Sequence, residues 1–378
     1  METTNIKRGA LHMYVMLLMV LIVSCSEDDV IPDSPTFNMV TSIVDMETSI
    51  SSGNMGDWIA IRGANLEEVD SVLFNDVAVQ VKDVYYEDNV IYTQIPVKLP
   101  KEVNNKVTVI TKGGEVSFDF NVNIPDLQLT SMFNEYTLPG DTIRIYGKFI
   151  TLYEIDSSNT VVSFGGKESP VIKATETYIT AKVPFDVQPD VRVKAINKKY
   201  NVEAVCAGFY QDKHNVITTF DSDFPYTSST GQQWVGEWES PEPTSGNYLR
   251  FEVDQATYPD GLGWFYLFES GVNYTLDMMQ HPEKYTLKFE LNMSLPIKTT
   301  QFFIYYYWAV APNPIGGDYF SVQNLGTWQT VNIPLEKIIP PGYTGTTTNY
   351  SLNIRVENYA PVERVAMYLD NLRIYEEE

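Results

Sequence analysis

The chain contains an internal repeat, and this repeat constrains the fold more than any other feature of the sequence. A Gly-Asp pair opens an apolar strand-like run at Gly56 and again 84 residues later at Gly140. Three further pairs align at separations of 85 to 90 residues: Phe74-Asn75-Asp76 with Phe164-Gly165-Gly166, Ile95-Pro96 with Val183-Pro184, and Lys106–Val109 with Val191–Lys194. Short alternating runs bounded by Gly, Asn, Asp and Pro indicate β-strands. We therefore predict two copies of one all-β domain, at residues 36–124 and 125–212.

In each copy a Gly-Asp turn opens a strand and a glycine closes that strand. A Val-rich strand comes last. This plan resembles the IPT/TIG immunoglobulin-like domain. The resemblance implies two tandem β-sandwiches that act as spacers. Trp58 follows the first Gly-Asp turn, and we expect it to pack in the core or against a neighbouring domain.

Residues 213–378 show a different all-β pattern. Apolar and polar residues alternate, which predicts half-buried antiparallel strands. The apolar positions are Leu249, Phe251, Val253, Leu287, Phe289, Leu291, Met293, Leu352, Ile354 and Val356. The segments 328–335 and 368–375 resemble carbohydrate-binding jelly rolls, so the expected third domain is a jelly-roll β-sandwich. Residues 274–284 are the one weak helical candidate.

Two segments of this third domain are aromatic on both faces, although only one face of a strand can enter the core. In residues 301–308, the parity of Gln301 predicts that Phe303, Tyr305 and Tyr307 face outward, with Trp308 near the strand end. In residues 263–268, Phe265 and Leu267 are expected in the core. The candidate contact residues are Trp264, Tyr266, Tyr305, Tyr307 and Trp308. A cluster of exposed aromatic side chains is typical of a binding surface.

Sugars suit such a surface, because aromatic rings stack on the C–H face of a pyranose while polar side chains bind its hydroxyl groups. The net charge of -23 favours a neutral ligand and makes nucleic acid a poor partner, since phosphate binding requires clustered Lys and Arg. Trp234 and Trp238 lie in a predicted loop and are weaker candidates. Trp328 is assigned to the core.

The N-terminus carries Lys7 and Arg8 before an apolar run at residues 11–23, which is typical of a secretory signal. Ser24-Cys25 after this run resembles a bacterial lipobox. The resemblance implies cleavage after residue 24 and acylation of Cys25. The next four residues, Ser26-Glu27-Asp28-Asp29, resemble the export tag of surface lipoproteins in Bacteroidota. Residues 25–35 are predicted to be an acidic tether. If Cys25 is acylated, Cys206 has no disulfide partner, and we expect it to be buried.

The order of lipobox, acidic tag, tandem IPT-like domains and aromatic jelly roll resembles the surface glycan-binding proteins of Bacteroidota polysaccharide-utilisation loci, specifically their B type. The resemblance implies non-catalytic capture of xyloglucan or another β-glucan or hemicellulose at the extracellular side of the outer membrane. An outer-membrane glycan transporter complex is a further expected partner. The family's platform residues carry over to Trp264, Tyr307 and Trp308.

Two alternatives remain open on sequence grounds. An adhesin or assembly protein would also expose Tyr and Trp. A glycoside hydrolase would need two carboxylates that flank the scissile bond, and no recognisable motif contains them. The available acids are Glu237, Glu239, Asp254, Asp260, Glu269 and Asp318. The histidines His12, His214 and His281 form no metal-binding pattern, so no metal and no cofactor are expected. A structural Ca²⁺ held by acids such as Asp370 is not required by the sequence.

Overall fold

The computed structural model describes residues 32–296, 300–306, 324–339, 342, 344, 346, 348–361 and 364–377. These residues form an almost entirely β structure, which confirms the predicted fold class. The chain divides into two compact units, with the division between Ile124 and Pro125. Cys25, Tyr307 and Trp308 lie outside the described residues.

The first unit is a β-sandwich built from two four-stranded sheets and a short parallel pair, β2 with β10. The sheets have the orders β1-β3-β7-β6 and β5-β4-β8-β9. Its strands are β1 (Thr36–Ser42), β2 (Ser52–Asn54), β3 (Trp58–Ala64), β4 (Val69–Phe74), β5 (Val77–Ala78), β6 (Val84–Glu87), β7 (Val90–Gln94), β8 (Lys106–Thr111), β9 (Gly114–Asp119) and β10 (Asn121–Asn123). Alternate residues of these strands, such as Ile59, Ile61, Val107 and Val109, form one buried core.

The second unit starts with a seven-stranded barrel that corresponds to the second repeat. Its closed order is β11-β12-β15-β14-β13-β16-β17, because β14 pairs with both β13 and β15, and β17 pairs with both β16 and β11. The strands are β11 (Gln128–Met132), β12 (Thr142–Lys148), β13 (Thr160–Phe164), β14 (Lys167–Ala174), β15 (Tyr178–Lys182), β16 (Val191–Asn197) and β17 (Val202–Tyr210).

The two repeats use their aligned residues in the same way. The amide of Gly56 donates to Ile95 O and that of Gly140 donates to Val183 O, both at 2.8 Å. Both glycines have positive φ, at 88° and 92°, which explains why glycine recurs in this turn. At the closing glycine of the strand, an added Cβ would lie 1.9 Å from a neighbouring carbonyl oxygen at Gly63 and 2.4 Å at Gly147. The neighbouring strand therefore excludes a side chain there.

The C-terminal part of the second unit is a two-sheet sandwich. The large sheet has the order β19-β20-β26-β22-β24, with β18 also paired to β26, and the small sheet has the order β21-β25-β23. The strands are β18 (Val216–Thr218), β19 (Val235–Gly236), β20 (Tyr248–Val253), β21 (Gly263–Asn273), β22 (Tyr285–Met293), β23 (Gln301–Tyr306), β24 (Gln329–Pro334), β25 (Asn349–Asn358) and β26 (Val365–Glu376).

The helical candidate at residues 274–284 contains one short α-helix, α1 (Leu276–Gln280), and a 3₁₀ turn at Pro282–Lys284. Thr275 caps α1 by accepting from the backbone N–H of Met278. Elsewhere in the described chain, 3₁₀ turns occupy Val81–Asp83, Gln232–Trp234 and Leu335–Lys337.

All the apolar positions that alternation placed in the core of the sandwich are buried between its two sheets. The expectation for β22 was wrong in one respect, because this strand is buried on both faces. Its outward residues Lys288, Glu290 and Asn292 are 5%, 0% and 1% exposed. The preceding barrel covers them, and its Glu135 forms an ion pair with Lys288 at 2.7 Å.

The covered face carries a buried network of charges. Arg373 Nη2 donates to Glu135 Oε2 at 2.6 Å, and its Nη1 donates to Glu290 Oε2 at 2.9 Å. Burial raises the pKa of Glu290 to about 7, although Arg373 opposes the shift. Burial acts in the same sense on Glu135, but Lys288 and Arg373 outweigh it and lower the pKa of that carboxyl. The network joins the barrel to the sandwich inside the second unit.

Candidate functional site

The outer face of the small sheet gathers aromatic and polar side chains in rows across three strands. In the first row Trp264 pairs with Glu357, which pairs with Gln301. In the second row Tyr266, Arg355 and Phe303 stand side by side. We call this surface the aromatic face, and its members are Trp264, Tyr266, Glu269, Gln301, Phe303, Asn353, Arg355 and Glu357.

Trp264 is the most exposed aromatic residue of this face, at 56%. Tyr266 is half-buried beside it, and the two ring centroids lie 5.1 Å apart at 84°. Such an edge-to-face contact fixes the orientation of the indole. Strand parity places both rings outward, since Phe265 packs against the core and Leu267 is fully buried.

A β-bulge between Tyr266 and Phe268 ends the run of outward aromatic residues along β21. Leu267 and Phe268 both enter the core as a result, and Glu269 takes the next outward position opposite Asn353. The Glu269 carboxylate accepts a hydrogen bond from Thr230 Oγ1 at 3.2 Å. A bulge is a common device for redirecting side chains near functional sites.

Charged groups run along the middle strand of the face. Arg355 forms an ion pair with Glu357, and both side chains remain partly exposed, at 18% and 16%. The guanidinium of Arg355 also lies over the ring of Phe303, 5.2 Å from its centroid. Phe303 faces outward, as its parity predicts, but it is only 7% exposed. It therefore supports Arg355 more than it offers a free ring.

The remaining predicted site residues are only partly placed. Tyr305 lies in β23, where its backbone pairs with Asn353, so it occupies the row of Glu269. Tyr307 and Trp308 lie outside the described residues and stay predictions. Sequence analysis missed Arg355 and Glu357 as members of the site. The polar half of the alternation at residues 353–357 contained them, but it was interpreted only as a solvated strand face.

The other tryptophans that the structure describes in the sandwich lie elsewhere. Trp234 packs against the core next to Phe251. Trp328 is 8% exposed, as expected of a buried residue, but it lies outside the main core. It packs with Tyr248 and Tyr368 on the outer face of the large sheet. None of these residues shares a row with Trp264.

Three further titratable sites of the described residues lie outside the aromatic face: Asp370, the cluster of Asp190, Asp212 and His214, and Cys206. Asp370 is fully buried and bonded to Thr244 and to the amide of Asn371, and burial raises its pKa. Asp190, Asp212 and His214 bring three potential ligand atoms within 4.8 Å, but His214 Nδ1 already contacts both carboxylates, at 3.1 and 2.8 Å. Cys206 is buried as expected, and burial raises the pKa of its thiol to about 11.

The fold and the aromatic face together define a class: an all-β chain that ends in a two-sheet sandwich with aromatic side chains on one outer face. The family follows from the same domain. Residues 210–376 match the family model described as the surface glycan-binding protein B xyloglucan binding domain.

Two solved structures are similar to this chain in fold. The surface glycan-binding protein PbSGBP-B from Prevotella bryantii is 16% identical, with 91% of this chain and 99% of that chain covered and a TM-score of 0.55. SGBP-B from a complex xyloglucan utilization locus in Bacteroides uniformis has the same identity and coverage and a TM-score of 0.47. The first of these supports the fold of the whole chain. No curated protein matches the chain.

Proposed function

We propose that this chain is a non-catalytic cell-surface protein that captures a polysaccharide on the aromatic face of its C-terminal sandwich. The expected ligand is xyloglucan or another β-glucan or hemicellulose. The observation that carries the proposal is the exposed indole of Trp264, braced by Tyr266 and flanked by the Arg355–Glu357 pair, in a domain of the xyloglucan-binding family. The likeness to PbSGBP-B supports the fold.

The chemistry of the face suits a β-linked glucan. Such a chain presents the flat C–H faces of successive sugar rings, and the indole of Trp264 can stack on one of them. Arg355, Glu357 and Gln301 supply donors and acceptors for hydroxyl groups at the ring edges. By analogy with base stacking, each ring contact contributes about 1–3 kcal/mol. Two or three such contacts give micromolar to millimolar affinity after the cost of association.

Catalysis is not part of the proposal. A glycosidase needs two carboxyl groups about 5–10 Å apart across the bond that it cleaves. On the aromatic face, Glu357 is engaged by Arg355 and Glu269 is engaged by Thr230. These contacts orient the two carboxylates as hydrogen-bond acceptors. Incubation of the protein with xyloglucan should release no reducing sugar.

Membrane attachment completes the proposed arrangement. Among the residues that the structure describes, no helix is long and apolar enough to cross a membrane. Acyl chains on Cys25 would anchor the protein, since two or more chains give durable attachment. Residues 26–36 would extend by at most about 40 Å. The two repeats would then hold the sandwich away from the outer membrane, where a glycan transporter complex could receive the captured chain.

Affinity electrophoresis tests the binding proposal. Gels that contain xyloglucan, mixed-linkage glucan, mannan or xylan should show retarded migration of the folded protein in at least one β-glucan gel. Trp264→Ala should restore normal migration in that gel. A folded protein that none of the four polysaccharides retards would contradict the proposal. Protease treatment of intact cells, with and without a Cys25→Ala substitution, tests the surface location separately.

A further inference from the structure

A cleft of about 540 Å³ lies between the barrel and the large sheet of the sandwich, inside the second unit. Its volume falls in the range of about 300–1,000 Å³ that is typical of small-molecule sites. The large sheet lines it with Asn292 and Trp328, and the barrel contributes Arg144 and Thr142. The aromatic face belongs to the small sheet, so the cleft and the aromatic face lie on opposite outer faces of the sandwich.

Asn292 is the unusual residue in this cleft. Its side chain is 1% exposed, and neither its amide oxygen nor its amide nitrogen has a hydrogen-bond partner among the described residues. Lys288 and Glu290 face the same way on β22, and both are ion-paired. A buried polar group without a partner is destabilising, whereas an apolar side chain of similar size would pack without that penalty.

The partner that Asn292 lacks must both donate and accept a hydrogen bond. A sugar hydroxyl group has this property, as it carries one donor and two acceptor lone pairs. Carboxylates and phosphates would satisfy only the amide nitrogen. The charges of the cleft also disfavour an anion, because Asp141 and Glu242 line it together with Arg144.

An aromatic wall completes the cleft. Trp328 donates from Nε1 to the carbonyl of Glu242 at 2.7 Å, and its ring meets Tyr248 edge to face at 5.5 Å. These contacts hold the indole in place. On the opposite wall, the guanidinium of Arg144 lies over the ring of Phe133 at 5.1 Å. A neutral ring with several hydroxyl groups fits this combination of fixed aromatic and hydrogen-bonding groups.

We propose that this cleft is a second saccharide site, which binds a one- or two-ring sugar unit through Asn292. The identity of the sugar rests on the proposed capture of a β-glucan, whereas the site itself rests on the cleft. Because the two sites lie on opposite faces, one sugar unit cannot occupy both. A polymer, or two polymers, could engage both and bind with greater avidity than at either site alone.

Saturation-transfer NMR with glucose, xylose, galactose and cellobiose tests the site. At least one of these sugars should bind the wild-type protein, and it should still bind Trp264→Ala, the variant in which the aromatic face is disabled. Asn292→Leu should weaken binding at least about tenfold, which corresponds to the loss of one hydrogen-bonded amide. Asn332→Leu is the matched control, because Asn332 lies on the neighbouring strand and lines a different cavity. It should leave binding unchanged.

Stability separates a ligand-binding role from a structural one. Asn292→Leu should leave the Tm unchanged or raise it, since the orphaned amide is removed. If this variant does not fold, Thr142→Trp, which narrows the cleft from the exposed rim of the barrel, should abolish binding of the same sugar. Two results would overturn the proposal. One is sugar binding that survives Asn292→Leu, or Thr142→Trp if Asn292→Leu does not fold, and the other is no binding of any of the four sugars to the wild-type protein.

The two proposals can fail separately. Loss of small-sugar binding in Trp264→Ala would place the sugar on the aromatic face and overturn the cleft site, while polysaccharide capture stood. Conversely, small-sugar binding that depends on Asn292, in a protein that no polysaccharide retards, would contradict capture at the aromatic face and leave the cleft site in place.

Discussion

Arg373 in the last strand of the sandwich donates to Glu135 of the barrel at 2.6 Å, with both side chains almost fully buried. The same guanidinium binds Glu290, so one cation serves two buried carboxyl groups. Lys288 supplies the second cation by pairing with Glu135 at 2.7 Å. The geometry between the barrel and the sandwich therefore depends on a small number of desolvated charges.

Removal of Arg373 should be strongly destabilising. Arg373→Met leaves Glu135 and Glu290 buried with less compensation, and breaking a buried pair in this way costs about 3–5 kcal/mol. Urea denaturation followed by tryptophan fluorescence measures the loss. The control is Lys106→Met, which breaks an exposed pair with Asp119 and should change stability by less than about 1 kcal/mol. Equal stability of the two variants would contradict the assigned role of Arg373.

Stability should also depend on the protonation of Glu290. Its pKa is about 7 in the folded protein against 4.5 for an ordinary glutamate, so the folded state binds the proton more tightly. The free energy of unfolding should therefore fall as the pH rises from about 4.5 to about 7, by an amount on the order of 3 kcal/mol from this group.

Glu290→Gln isolates this contribution. At pH values below about 4.5 the substitution should change stability little, because the protonated Glu290 of the wild-type protein is neutral, like glutamine. Between about pH 4.5 and 7, the stability of the variant should fall less steeply than that of the wild-type protein. Thermal unfolding of both proteins at several pH values measures the two slopes. Parallel slopes would show that Glu290 does not titrate in this range.

The network leaves no room at Gly208. A Cβ at this position would lie 2.4 Å from Glu135 Oε1 and 3.1 Å from Lys288 Nζ. Gly208→Ala should therefore displace the ion pair and cost about 1–3 kcal/mol. At Gly236 the nearest atoms to an added Cβ are 3.4 Å away, which is an ordinary contact, so Gly236→Ala serves as the control. Denaturation midpoints compare the two substitutions, and a neutral Gly208→Ala would contradict this packing.

The sequence predicted which face of each strand enters the core, because burial follows a period of two along a strand. It could not predict what covers the other face. Lys288, Glu290 and Asn292 have the pattern of a solvated surface, yet the barrel buries them. Lys288, for example, contacts Glu135, which is more than 150 residues away along the chain, and no local pattern records such a contact.

The aromatic face could also be predicted only in part from the sequence. Parity was sufficient to place Trp264 and Tyr266 outward, since a core on one side of a strand leaves the other side free. The bulge that turns both Leu267 and Phe268 inward was not visible in an unbroken apolar run. The ion pair of Arg355 and Glu357 was also missed, because alternation alone does not distinguish a solvated strand face from a binding face.

Tyr266 should act mainly by holding the indole of Trp264. Tyr266→Phe keeps the ring that meets Trp264 edge to face at 5.1 Å, so glycan affinity should change by no more than about threefold. Tyr266→Ala removes that ring and should weaken binding about tenfold. Calorimetric titration with the polysaccharide that retards the wild-type protein in electrophoresis measures the affinity of both variants. An equal loss in the two variants would assign the effect to the hydroxyl group instead.

Trp264 gives the most direct test of glycan capture on the aromatic face. Isothermal titration with xyloglucan should show that Trp264→Ala loses at least about tenfold in affinity, the equivalent of one ring contact. Tyr85→Ala is the matched control, because Tyr85 is 58% exposed, close to the 56% of Trp264, but lies in the first unit. Tyr85→Ala should bind like the wild-type protein. Unchanged affinity in a folded Trp264→Ala variant would contradict the account.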